Sequence, residues 1–353
     1  MKAFVQKVLA LAIVLAAGAF GSAPGRTVRA ANGSLTLAAF GGTTQDNVNK
    51  VFLGPFARVR GIKVYNDTVD YGKLYSMVDA HHVTWDLANT DGWFANKACN
   101  DGHATPLAPV VLNAIRATGL PRNDWGRCWV AAWSWSGVLA YSAHLNPSPK
   151  SWADFYNPQK FPGKRSLASF LDVGQFETAL NAAGRAPNRV YPIDLNLAVR
   201  ELNRIKGHIL FSDSLETQVQ QIVTGQASMG LVTSARAQAA IQAREPIQMS
   251  WQNQFLSSDP YMVPKGAPDT QLAMQFLAYM LNTQRLIRFA KLNGYGPNTA
   301  AARRVLKSYR VCNTINTCYT HLPGAIGVNW AWWTVHQPQA QTAWSKWAGT
   351  GHS

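Results

Sequence analysis

The sequence predicts an α/β protein of two lobes, and three observations predict it. Short β-rich runs alternate with amphipathic helical stretches from residue 34 onward, the rhythm of parallel βαβ units. The chain has 353 residues, about 323 without its first 30, more than one comfortable hydrophobic core. A long apolar, aromatic run without charge, residues 129–141 (WVAAWSWSGVLAY), suits a buried strand that continues from one lobe into the next.

The elements follow in order. Residues 34–40 (SLTLAAF) read as a strand that ends in Gly41-Gly42-Thr43-Thr44, with a helix over 45–59. Residues 61–64 start a second strand and 85–89 (WDLAN) a third. Ligands collect at the carboxyl ends of the strands in open α/β sheets, so the loops 41–44 and 89–93 are the first candidates for a site. Residues 152–155 open a helical turn; 175–183, 194–205 and 217–223 read as helices, and 227–232 as a strand stopping at Thr233-Ser234. Residues 271–292 form the clearest amphipathic helix, with Leu272, Met274, Phe276, Leu277, Met280 and Leu281 inward. The tail tryptophans, Trp330, Trp332, Trp333, Trp344 and Trp347, read as core of the second lobe. Trp133 and Trp135 alternate along the central strand and read as core rather than as cleft lining.

The first residues read as an export signal. Lys2 and Lys7 precede the apolar run 8–20, and Val28 and Ala30 supply the small residues before a cut near Ala30. The run is about 13 residues where a membrane span needs about 20. This places the mature protein in the periplasm. Removing residues 1–30 takes away Lys2, Lys7, Arg26 and Arg29 and no acid, lowering the net charge from +15 to +11. Charged residues are only 14% of the chain, below the usual quarter or so. No block of Lys/Arg appears, so the charge argues for a basic exported protein and not for nucleic acid as partner. Four cysteines, Cys99, Cys128, Cys312 and Cys318, suit disulfides in an exported chain. They allow three pairings, and chain proximity favours Cys99–Cys128 with Cys312–Cys318; a zinc site is the alternative, without paired C-x-x-C spacing.

Catalytic signatures are missing. Ser134 and Ser136 in WSWSG lack the leading glycine of a nucleophile elbow, and the chain after residue 30 holds neither a P-loop nor G-x-G-x-x-G. His81-His82 near Asp86 lacks the i, i+4 spacing of a metal pair and reads as a solvated loop. No enzyme activity, cofactor or metal is expected.

Five segments carry a resemblance: SWADFYNPQKFPGKRS (151–166), TALNAAGRAPNRVYPIDLNLAVRELNRI (178–205), TGQASMG (224–230), MVPKGA (262–267) and GYGPNTAA (294–301). In this order the chain resembles the bacterial ABC-transporter extracellular solute-binding proteins of the spermidine/putrescine-binding group. The resemblance implies the two-lobed periplasmic-binding-protein fold of type II, with a ligand cleft between lobes and multiple chain crossovers. Lobe one takes 33–137 and 260–311, lobe two 138–259 and 312–353. It also implies a monomer that closes by hinge motion on a small-molecule solute and delivers it to the permease subunits and ATPase of an ABC importer.

Carried over residue by residue, the binding positions are Phe40, Gly41, Gly42 and Thr43 after the first strand and Asn89, Thr90 and Asp91 after the third. Asp172 lies in the segment 170–174. Thr233, Ser234 and Arg236 stand at the strand end of lobe two, Ser257 and Asp259 in the crossing segment, and Tyr295 between glycines at the rim. Polyamine binders pair carboxylates with ammonium groups and stack tryptophans on the methylene chain. Here the expected acidic pair falls on Phe170 and Gly174, and the expected tryptophans on Thr233 and Ser257, leaving Asp259 with Asp91 and Asp172 as substitutes. Asp91-Gly92 and Ser257-Ser258-Asp259-Pro260 also read as turns. A polyamine or related cationic amine is the expected solute. The alternatives are the same receptor role for an amino-acid-like, opine, phosphonate or thiamine-like solute, or else a secreted hydrolase, and Arg236 favours a carboxylate or phosphate.

Overall fold

A computed structural model describes residues 33–171 and 174–349. The segment 1–30 and Asp172 lie outside the described residues. Ser34 to Ala39 forms β1, Lys63–Thr68 β2 and Leu87–Asn89 β3. Both β2 and β3 pair parallel with β1, one on each side. The chain between β1 and β2 is helical from Gly42 to Arg60, running through a π-helical stretch at Asn49–Leu53. Gly61, at φ 67, ends it in the left-handed conformation that glycine adopts without strain.

The aromatic run splits between two sheets. Trp129 and Val130 (β4) join the first sheet, and Trp133–Ser142 (β5) crosses into the second. The second sheet adds Arg165–Ala168 (β6), Ile209–Ser212 (β7), Met229–Thr233 (β8) and the long Ile247–Ser257 (β9). The chain then returns: Tyr261–Met262 (β10) lies antiparallel between β3 and β4. Gly296–Pro297 (β11) pairs with β5, and Ile326–Gly327 (β12) with β9. The sheet orders are β2-β1-β3-β10-β4 and β12-β9-β5-β8-β6-β7.

Alternation along the strands puts apolar residues on both faces of each sheet. On β1, Leu35, Leu37 and Ala39 enter one core while Ala38 enters another with Leu74, Trp85 and Phe94. On β5, Trp133, Leu139 and Tyr141 face one way, and Val138 and Ala140 face a third cluster with Ile222 and Val232.

The expected helix over 271–292 is two helices, Thr270–Met280 and Thr283–Asn293. Asn282 separates them because its side chain accepts from Arg285 N and caps the second. The tail is one helix, Trp330–Ala348, and not all its tryptophans serve the second sheet. Trp344 Nε1 donates to Ser169 O and Trp347 Nε1 to Asn203 Oδ1, but the Trp330 ring lies over Gly92, in the helix Gly92–Asn100 that follows β3. The tail helix therefore touches both lobes.

Two disulfides close Cys99 to Cys128 and Cys312 to Cys318. On the loop-entropy relation, losing Cys99–Cys128, with its sequence separation of 29, costs about 3–4 kcal/mol. Replacing both residues with alanine should lower the urea midpoint accordingly, and mild reductant should reproduce the shift. Asp86 is committed to structure: its carboxylate accepts from Thr36 N and Asp269 N, both at 2.8 Å, tying β1 to the helix at Thr270.

Candidate functional site

In the first sheet, β1 lies between its two parallel neighbours, so the turns after β1 and β3 flank the crevice where the strand order reverses. Across it stand the carboxyl ends of β6, β8 and β9 from the second sheet. Between them lies a cavity of about 550 Å³.

The turn after β1 needs glycine, with Gly41 at φ 81 and Gly42 at φ 67. Half-exposed Phe40 and both glycines line the cavity, while Thr43 lines a second cavity of about 400 Å³ that opens from the same turn toward Gly294. At the end of β3, Asn89 reaches the cavity wall, but its side-chain amide donates to Asp259 O (3.0 Å) and Pro260 O (3.1 Å). It fixes the crossing segment rather than staying free for a ligand. Thr90 is fully buried and its hydroxyl has no partner among the described residues.

Asp91 and Asp259 form the acidic end of the cleft. Tyr71 OH donates to Asp91 Oδ2 at 2.8 Å and accepts from Asp91 N at 2.8 Å, locking the carboxylate. Trp135 Nε1 donates to Asp259 Oδ1 at 2.8 Å. Burial and then the neighbouring Asp91 charge push the Asp259 carboxyl up to about 7. Asp91 is raised too, by burial, against the hydrogen bonds from Tyr71 and Trp93. Two carboxylates so placed resist ionising together, and an ammonium group between them removes the conflict.

Arg236 lines the same cavity. Its Nε donates to Glu216 Oε1 at 2.7 Å and its Nη1 to Thr233 Oγ1 at 3.1 Å. Burial raises the Glu216 carboxyl, but the Arg236 hydrogen bond and charge outweigh this and hold it below the usual range. Tyr295, buried and with its phenol pushed up by burial, walls both cavities.

The structure thus brings together Phe40, Gly41, Gly42, Asn89, Asp91, Thr233, Arg236, Asp259 and Tyr295 around one cavity. Ser234 and Ser257 do not line it; both are buried, with hydroxyls that have no partner among the described residues. Trp135, read as core, is buried in the core and also lines the cleft, whereas Trp133 packs in the core against Phe52 and Phe289. The sequence reading also missed Glu216 and Tyr71. Ser214 capping the helix Leu215–Val223, with Glu216 in its first turn, was the available signal for the former. Phe170, one of the two positions where the resemblance expects an acid, lines the cavity with Leu171. Gly174 has φ 92, and an added Cβ would lie 2.3 Å from Phe255 Cγ. No carboxylate fits there unless Phe255 moves.

A family model for bacterial extracellular solute-binding proteins matches residues 55–308. The gamma-aminobutyric acid-binding protein of Pseudomonas aeruginosa is 28% identical over 339 residues, covering 93% of this chain and 95% of that protein. The spermidine/putrescine-binding periplasmic protein of Escherichia coli is 25% identical over 313 residues, 83% and 85% of the two chains. Among solved structures, the Atu4243 GABA receptor superposes with a TM-score of 0.84 at 28% identity, over 91% of this chain and 99% of that one.

Proposed function

We propose, since the chain belongs to the bacterial extracellular solute-binding proteins, that it serves an ABC importer by closing on a linear ω-amino acid of the γ-aminobutyrate type. Solute-binding proteins of such importers work with membrane permease and ATPase subunits, and the chain is a receptor, not an enzyme. In this reading it is exported with cleavage near Ala30 and acts in the periplasm as a monomer without cofactor. The lobes 33–137 with 260–311 and 138–259 with 312–353 hinge about the crossings.

One observation carries the choice of solute: a single cleft is lined both by the Asp91–Asp259 pair and by the Arg236 guanidinium. A desolvated ammonium requires paired anions and gains from the Trp135 indole. A carboxylate is matched by the planar guanidinium fork. The γ-aminobutyrate-binding relatives support the same reading. A diamine or polyamine is the second reading, favoured by Glu216: beside Arg236 it cancels the positive charge, leaving carboxylates in excess along the cleft.

A thermal-shift series separates the two. At a hundredfold excess over Kd the bound form gains about 2.7 kcal/mol. γ-Aminobutyrate and 5-aminovalerate should raise the melting temperature more than putrescine or spermidine. The reverse order establishes the diamine reading, and no shift with any of the four removes both.

A further inference from the structure

Behind the cleft lies a separate chamber of about 50 Å³ between the tail helix, the helix Gln175–Ala182 and the turn after β3. Asp91 and Leu171 line both spaces, so the chamber and the cleft share a wall. Its second carboxylate is Glu177, which has no exposed surface. Glu177 Oε1 accepts from Tyr191 OH at 2.6 Å and from Trp333 Nε1 at 2.9 Å. Glu177 Oε2 has no hydrogen-bond partner among the described residues, and neither has Trp330 Nε1, on the same chamber wall.

A carboxylate taken out of water is costly without a counter-charge. Among the described residues, the chamber lining contains no lysine, arginine or histidine to supply one. Besides Asp91 and Glu177, the lining holds Gln175, Gln337 and Gln341 and the indoles of Trp93, Trp330 and Trp333, and indole faces attract cations. The volume sets the size of the occupant. One water takes roughly 10–15 Å³ on this measure, so the chamber holds a small ion with a water or two and excludes an amino acid or a polyamine. A cation placed there would satisfy Glu177 Oε2, and a water beside it would accept from Trp330 Nε1.

We propose that this chamber binds a small ammonium-type cation, separate from the cleft solute, and so fastens the tail helix between the two lobes. Glu177 comes from the helix at 175–182, Trp330 and Trp333 from the tail, and Asp91 and Trp93 from the end of β3, so one ion joins all three. The competing occupant is water alone against a protonated Glu177, whose carboxyl burial pushes up despite the Tyr191 and Trp333 hydrogen bonds.

Ammonium and methylammonium chloride are the probes, added to solute-free protein at constant ionic strength against potassium and choline chloride. The expected result is a saturable rise in melting temperature with both probes and not with potassium. It should persist in Asp259→Asn and vanish in Glu177→Gln. The ¹⁵N-ammonium spectrum of the wild type should show a slowly exchanging bound ion with contacts to indole protons of Trp330 or Trp333. That readout decides the matter if Glu177→Gln fails to fold. Potassium equal to ammonium, no saturation, or a shift kept in Glu177→Gln overturns the site. A shift lost in Asp259→Asn instead places the ion in the solute cleft and overturns it too.

Discussion

Asp259→Asn is expected to weaken binding of an ammonium-bearing solute by about 2–4 kcal/mol, roughly 30- to 1,000-fold, the usual cost of truncating one partner of a buried charge pair. The carboxamide keeps the acceptor that Trp135 Nε1 uses, so the free protein should fold normally. In the wild type, Asp259 titrates near 7, and an ammonium group demands its ionised form. Binding should therefore release a proton around neutrality, and affinity should rise from pH 6 to pH 8 and then level. The stability of the solute-free protein should run the other way. The folded-state value exceeds the ordinary 3.8. The stabilisation linked to the protonated group is fully present below that value and is lost as pH rises through about 7. Asp259→Asn, which mimics the protonated acid, should flatten both profiles between pH 4 and pH 7. Calorimetric titrations at pH 6, 7 and 8, in buffers of different ionisation enthalpy, measure the proton count. A wild-type affinity independent of pH would falsify the assignment.

The parts of this site that were legible in the sequence are those a single local segment specifies. Ser34–Ala39 followed by two glycines and a helix announces a strand end with a turn, and Leu87–Asn89 followed by Thr90-Asp91 repeats the signal. Thr233 at the end of β8 was visible for the same reason. What remained illegible depends on segments distant in sequence meeting in space. Trp135 looks like Trp133 on the strand, and only the arrival of Asp259, 124 residues later, makes it a cleft residue. Tyr71 gains meaning from Asp91, and Glu216 from Arg236, each 20 residues away. The break at Asn282 was hidden because apolar residues continue in helical rhythm on both sides, whereas a cap depends on one side chain. Gly174 shows the converse: the sequence displays a missing carboxylate, and the structure supplies the cause in the Phe255 ring that occupies its place.

Gly92→Ala should be strongly disruptive, and its cost should depend on Trp330. A Cβ built at Gly92 lies 2.3 Å from Trp330 Cδ2 and 2.4 Å from Cε2, inside the indole rather than against it. The tail helix also bonds here: Thr334 Oγ1 donates to Trp93 O at 3.4 Å. Its other side is fixed in the second lobe by Trp333 on Glu177 and Trp344 on Ser169. Trp330 cannot tilt away without shifting that anchored helix, so overpacking of this kind should cost about 1–3 kcal/mol. Trp330→Ala removes the obstruction, at its own cost in lost burial. Adding Gly92→Ala to Trp330→Ala should then cost almost nothing, and the double-mutant cycle should return a coupling of about 1–3 kcal/mol. Urea denaturation of the four proteins measures it. If the two changes add independently, the tail helix is not seated on Gly92. If they couple as expected, solute affinity should follow the same cycle. Any opening of the cleft between β3 and β6 must move Gly92 against Trp330, and the seat of that indole then sets part of the free-energy difference between open and closed receptor.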